Sequence, residues 1–421
     1  MLFRSKLAPF SSLLIANFII LVCFGLQGIL IPLRGGIENF SATLLGIIGG
    51  AYYAGYFWGA IHCPKVVQRS GHIRSFAVFA SLASITPLVH AIFPNEYVWI
   101  ALRVLSGYCF AGLILVIESW LNEQVDNENR GRLFGTYLMV TLLSLILAQL
   151  SINLASPATM TLFILTSILA SLALLPVSLT STTQPPLVKR AKLDLKVLWS
   201  ISPVGLVGCF VVGITNGPLW TLGPVYALDA GLDFQGVSFF MAIIIIGGAV
   251  VQWPIGRLSD LTDRRWIIIF LCTGASIAGF ILVMISGMNS FISLLGVAFV
   301  FGAFSLTLYS VCVALINDNA QGGDFVVISS GLLLVYGIGA FLGPMIVSVS
   351  MLYLGTDAVF LFTATVQGVF TLFVLFRISV EPAMPAKERS NFAVMSVSQT
   401  VAKPLELDPR AETKVKRKSP E

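Results

Sequence analysis

Apolar residues run in blocks of about twenty or more along this chain, each closed by a short polar turn. A block of that length satisfies its own backbone hydrogen bonds as a helix and crosses the hydrocarbon of a bilayer. The pattern predicts twelve spans, at about residues 10–33, 42–63, 73–94, 97–120, 132–154, 158–180, 200–226, 236–256, 266–287, 290–316, 325–352 and 356–377. Ten-residue segments of alternating hydrophobicity, the sign of a membrane barrel, are absent. The first run is too long for a signal-peptide core and has no convincing cleavage site, so it is read as a helix. The fold class is therefore an all-α membrane protein.

The longest internal break, Ser181 to Leu198, holds a Pro pair and four basic residues and reads as a linker. It divides the spans six and six: a first bundle over 1–180, a linker over 181–198, a second bundle over 199–378, and a disordered polar tail over 379–421. Composition agrees with the class, since 11% of the residues are charged against about 25% in soluble domains. Charge placement adds orientation. Every one of the 25 Lys and Arg except Arg34 and Arg103 falls in the N-terminus, an even-numbered loop, the linker or the tail. The positive-inside rule then puts both termini and the linker in the cytoplasm, and a multi-pass protein of the inner (plasma) membrane is expected. Six cysteines sit in or beside the spans without disulfide or metal spacing and read as small packing residues.

Ionisable groups inside a bilayer are expensive and usually face protein, so the two in span four draw notice. Arg103, Gly107, Ala111, Ile114 and Glu118 recur at three- and four-residue steps on one helix face. Small residues between two charges suit close packing or a polar path. The halves also repeat. Gly107 to Gln124 lines up without gaps on Gly302 to Asn319, Gly59 on Gly256, and Gln27-Gly28 on Asn216-Gly217. A repeat of six spans fits two parallel bundles about an axis along the membrane normal.

Gly256 to Arg265, in the loop after span eight, resembles the G-x-L-x-D-x-x-x-R-R signature of the major facilitator superfamily. Arg103 to Gly107 is similar to its R-x-x-x-G motif, and Gly339 to Pro344 to a G-x-x-x-G-P motif. The stretches Gly71 to Ser84 and Ile117 to Glu123 resemble the YcaD-type transporter subgroup. The first-half loop departs, with Cys63 where an acidic residue is expected. The resemblance implies two pseudo-symmetric six-helix bundles that rock about a central site, with charged contacts as the cytoplasmic gate. Gly256, Asp260, Arg264 and Arg265 would form it, with Asp260 meeting the start of span five and both arginines reaching Asp318. In the first half Arg69 and Arg74 would reach Glu118 or Glu123.

In that fold spans one, four, seven and ten line the cavity, which makes Gln27, Arg103, Tyr108, Asn216, Trp220 and Tyr309 substrate candidates. Each has a plainer role open to it, in interhelical hydrogen bonding and packing. Arg103 would contact a substrate anion or couple protons, or else reach the interface beside Tyr97 and Trp99. Glu118 is the proton-coupling candidate, as the one carboxylate still inside an apolar run. No nucleotide loop occurs and His62, His72 and His90 are scattered, so neither cofactor nor metal is expected. The expected function is secondary active transport of a small organic solute, with proton-coupled export and nutrient uptake both open, and no enzymatic activity. The expected partners are a small-molecule substrate, protons and the lipid bilayer, without nucleic acid, for a monomer. The competing class is a membrane receptor or scaffold on the same fold.

Overall fold

The structure is a computed structural model that describes residues 10–123, 127–179, 194–288, 290–320 and 325–380. Of these, 122–123, 127–132, 288, 325–327 and 329–330 are described by backbone alone. The expected tail, from 381 on, and the linker up to 193 lie outside the described residues.

All regular structure among the described residues is helical. The first half holds α1 (Ser11–Ile37), α2 (Ala42–Ser70), α3 (His72–Ile92), α4 (Glu96–Glu123), α5 (Asn127–Leu150), α6 (Thr161–Leu172) and the short α7 (Leu174–Ser178). The second holds α8 (Leu195–Ile201), α9 (Pro203–Asp229), α10 (Phe234–Leu261), α11 (Arg264–Ile285), α12 (Phe291–Ser305), α13 (Leu308–Asn319), α14 (Phe325–Leu354) and α15 (Ala358–Val380). Among the described residues eleven apolar runs are long enough to cross a membrane; the last, Gly331–Val380, turns back at Gly355–Asp357 and so crosses twice, which gives twelve spans.

Helix starts have local causes. The Ser41 hydroxyl accepts from the Leu44 N–H at 3.2 Å, and Asp233 Oδ1 from the Gly236 N–H at 2.7 Å. Ser202 caps Gly205 at 3.2 Å with Pro203 at the first helical position, so span seven starts there and Leu195–Ile201 forms a separate helix where linker was expected. Two spans are interrupted. Span ten breaks at Leu306 and Thr307, between α12 and α13, and the Thr307 hydroxyl donates to the Ala303 carbonyl at 2.8 Å. Span six is interrupted at Ala173, shortly before Pro176, which has no N–H to give.

Packing follows the internal repeat. α2 lies on α4, α1 on α5 and α3 on α6; in the second half α10 lies on α12, α9 on α14 and α11 on α15. The α2–α4 crossing is so close that a Cβ on Gly55 would run into the Val104 carbonyl, and one on Gly107 into the Tyr52 carbonyl. Gly247 against Phe299 and Gly302 against Ile244 reproduce that crossing between α10 and α12.

The bundles meet along two lines, α2 against α14 and α5 against α10. Toward the odd-numbered loops, apolar residues of both halves form one core, with Leu26, Ile48 and Trp99 beside Leu222, Met241 and Val347. Gly46, Gly49 and Gly50 of α2 bring that helix against Ser348, Thr221 and Phe341 of the other bundle. Asn153 Nδ2 donates across the second line to the Ser238 hydroxyl at 2.8 Å. Toward the opposite end the cores separate, one around Leu113 and Trp120 and one around Leu271 and Ile316. The bundles are therefore closed on each other at the odd-loop end.

Gly302→Leu is expected to destabilise the protein by about 1–3 kcal/mol, since the side chain must displace backbone rather than a rotamer. Gly296→Leu, where an added Cβ meets nothing within 4 Å, serves as the control and is expected to be neutral or to gain up to about 1 kcal/mol from helix propensity. Melting of the purified variants in detergent checks the difference.

Candidate functional site

A cavity of about 270 Å³ lies between the two lines of contact, under the shared core. Helices α1, α2, α4 and α5 wall it on one side and α9, α10, α13 and α14 on the other. Two faces differ in chemistry. Tyr52, Tyr53 and Tyr56 of α2, Tyr309 of α13 and Tyr336 of α14 make an aromatic, hydroxyl-bearing wall along the α2–α14 line. Leu138, Leu142 and Leu145, one face of α5, join Met241 and Ile245 of α10 in an aliphatic wall along the α5–α10 line.

Among the lining residues Arg103 alone is charged. It is 5% exposed, its Nη1 donates to Gln27 Oε1 at 3.2 Å, and its guanidinium lies over the Tyr52 ring at 4.5 Å. It faces the cavity, not the membrane interface. Trp99, one turn before it, is buried with its indole N–H shared between the carbonyls of Phe93 and His90, at 3.0 and 3.1 Å. Trp99 is therefore a core residue rather than part of an interfacial belt.

Of the residues singled out from the sequence, Arg103, Asn216, Trp220 and Tyr309 line the cavity, and Gln27 orients Arg103. Tyr108 does not line it. Its hydroxyl lies 2.8 Å from His62 Nδ1, and its ring packs on Trp58 and Phe79, on the far side of α4. Spans two, five, eight and eleven also contribute, which brings in Tyr52, Tyr53, Tyr56 and Tyr336 together with Gln149 and Gln252. The spacing Tyr52, Tyr53, Tyr56 puts the first and last on one helix face and is the signal that could have pointed to them.

The charged residues at the other end form separate groups. Arg264, 1% exposed, donates from Nε to Asp318 Oδ2 at 2.7 Å and from Nη1 to the Ser259 hydroxyl at 2.8 Å, and its Nη2 lies 3.1 Å from Asp260 Oδ1. Arg265 is held by Asp263, which also caps α11, at 2.7 Å. These aspartates offset two cations in the first turn of a helix, where the dipole disfavours them. Gly256 is buried in α10 just before this group. Arg69 and Arg74 flank Gly71, in the left-handed region at φ 79°, and both are exposed. Glu118 is buried and accepts from the Tyr137 hydroxyl of α5, within the first bundle, at 2.9 Å. The Glu123 side chain lies outside the described residues.

A family model described as Major Facilitator Superfamily matches residues 13–320 and again 207–418. A protein of Escherichia fergusonii named as an uncharacterized MFS-type transporter YcaD is 26% identical over 372 residues, covering 87% of this chain and 95% of its own; its counterpart in Escherichia coli O139:H28 gives the same figures. Among solved structures, a bacterial homolog of the human lysosomal transporter Spinster superposes with a TM-score of 0.71 at 14% identity, covering 93% of this chain and 99% of that one. The nucleoside transporter NupG gives 0.69 at 13% over 89% and 100%, and a D-xylose-proton symporter 0.68 at 15% over 90% and 99%. At these identities the structures show the shared fold of twelve helices in two bundles and nothing of the cargo. With both halves matched and the YcaD-type relatives aligned over nearly their whole length, the chain belongs to the Major Facilitator Superfamily, as a multi-pass membrane transporter of the YcaD type.

Proposed function

We propose that this transporter is a secondary carrier of a small organic solute, working by alternating access across a bacterial inner membrane. The observation that carries this reading is the asymmetry of the apolar core: fused across both bundles at the odd-loop end, split in two at the other. Two rigid bodies closed at one end around a central cavity have an obvious second arrangement, closed at the other. The Lys and Arg distribution puts the odd loops in the periplasm, so the present arrangement faces the cytoplasm. In the opposite arrangement Asp260 would leave Arg264 for the start of α5, where the helix dipole is positive. Arg265, Gly256 and Asp318 would support that switch, and Arg69, Arg74 and Glu123 would do the corresponding work in the first half. Protons, if they drive the cycle, would enter through Glu118.

A cysteine at Gly28 in a cysteine-free background tests this against a static receptor or scaffold. Gly28 lines the cavity with nothing within 4 Å of an added Cβ. An impermeant thiol reagent is expected to reach it from either side of the membrane. Cross-linking cysteines at Asn153 and Ser238 should then leave the cytoplasmic route alone. Labelling from one side only, before and after cross-linking, would sink alternating access.

The two aspartates around Arg264 should behave differently. Asp318→Asn strips a buried guanidinium of its nearest partner and is expected to cost about 3–5 kcal/mol, seen as a lower melting temperature. Asp260→Asn touches a carboxylate whose side chain is 32% exposed, so its stability cost should stay within about 1 kcal/mol while exchange between the two labelling states slows. Equal effects on melting would remove the distinction between anchor and gate.

For Glu118, the expected result is that Glu118→Gln keeps substrate exchange and loses accumulation driven by a pH gradient, because Gln preserves the Tyr137 hydrogen bond but cannot titrate. Accumulation at the wild-type level in vesicles would return Glu118 to a purely structural role.

A further inference from the structure

Four polar atoms without a hydrogen-bond partner belong to residues lining the one cavity: Arg103 Nε, Tyr56 Oη, Gln149 Oε1 and Asn216 Oδ1. Buried polar groups are normally paired with protein, water or a bound molecule, so a group of unpaired ones around a cavity marks where a ligand can supply the partners. Two other buried ionisable side chains among the described residues have polar partners. Arg264 has Asp318 and Glu118 has Tyr137. Arg103 is different. Among the described residues it meets the neutral Gln27 oxygen and the Tyr52 ring, and no carboxylate pairs with it. An arginine stays protonated throughout the physiological range, so it brings a fixed positive charge to the cavity. Gln27 and Tyr52 orient that charge and stabilise it in part, but they do not neutralise it.

The geometry points to an amphipathic organic anion as the cargo, an assignment that rests on the transport reading above. Its acid group would dock on Arg103. Its apolar body would lie along Leu138, Leu142, Met241 and Ile245, opposite the tyrosines. A hydroxyl or amide on that body would satisfy Asn216 or Gln149, whose free oxygens call for a donor. A cationic cargo would put like charges together beside a buried guanidinium. A neutral one would leave Arg103 as it stands, without a counter-charge.

The test uses the full-length protein in detergent and a panel of monocarboxylates of graded size, such as 1-naphthylacetate, 4-phenylbutyrate and octanoate, each beside its amide and its amine. Binding is read from thermal shift and from quenching of Trp220, with Trp220→Phe as the optical control. At least one acid is expected to bind about tenfold or more tighter than its amide, and the amines not at all. Arg103→Gln should bring the acid down to the amide, while Arg103→Lys retains part of the preference.

Should Arg103→Gln fail to fold, Gln27→Glu decides. It places a carboxylate where Arg103 already donates at 3.2 Å, so it should raise the ligand-free melting temperature and still abolish acid binding. A merely structural Arg103 would give the first effect without the second. If no acid binds, if acid and amide bind alike, or if Gln27→Glu leaves acid binding intact, the assignment is overturned.

Counterflow in proteoliposomes separates this outcome from the broader reading. An acid that binds through Arg103 without exchanging keeps the anion site and removes transport. Exchange of the amide or amine in preference to the acid keeps transport and removes the anion site.

Discussion

The close crossings at Gly55–Gly107 and Gly247–Gly302 set the rest of the architecture. At each, a helix backbone sits where a side chain would otherwise stand, so the paired helices α2–α4 and α10–α12 cannot slide without breaking contact along their length. This makes each bundle stiff. Between bundles the closest approach is on α2–α14, where Gly46 and Gly50 meet the Pro344 and Phe341 carbonyls, and Asn153 donates to Ser238 beside the α5–α10 line. Apolar seams of this sort are not driven together by water inside a bilayer, so they can part at a modest cost. Stiff bodies that share a core at one end only move as units, and movement is confined to the seams. That mechanical contrast, more than any single gate residue, is what alternating access requires of the fold.

Much of this was legible in the sequence, and for a physical reason. The bilayer fixes the length of a span, so hydropathy alone located the helices, most ends to within a few residues but the end of span two short of Ser70 by seven, and the pairing of Gly107 with Gly302 located the repeat. The departures come from short-range hydrogen bonding that hydropathy does not see. Asp194 caps a helix inside what read as linker by accepting from Val197 at 3.1 Å, and Ser202 starts the next by capping Gly205.

The site was legible only where charge made it so. Arg103 stood out because an intramembrane guanidinium is rare, whereas Tyr52, Tyr56 and Tyr336 look like packing residues in any apolar run. Tyr108 illustrates the limit of choosing by residue type. Five residues beyond Arg103, it stands about 140° around the helix from it, so the periodicity already turns it away from the cavity and toward His62. Residue chemistry proposed it; helical geometry removes it. For Arg264, proximity along the chain suggested that Arg265 would share Asp318, but Arg265 takes the helix-capping Asp263 instead.

Arg103 and Glu118 share α4 and were grouped at first because they share a face. Fifteen residues separate them, which is about 22 Å of helix. At that distance no direct pairing is possible, and their surroundings differ. Arg103 opens onto the cavity between the bundles, while Glu118 bonds to Tyr137 within the first bundle. A change of charge at Glu118 would therefore act on the α4–α5 packing and through it on where the α5–α10 seam lies. A ligand on Arg103 would act on the cavity walls directly. If the two are coupled, the coupling runs through the position of α5, whose Leu138 face lines the cavity and whose Tyr137 neighbours it in sequence. Adjacent residues on one helix thus look to different surroundings, Leu138 to the cavity and Tyr137 to the Glu118 carboxylate, so a shift of α5 would alter both together.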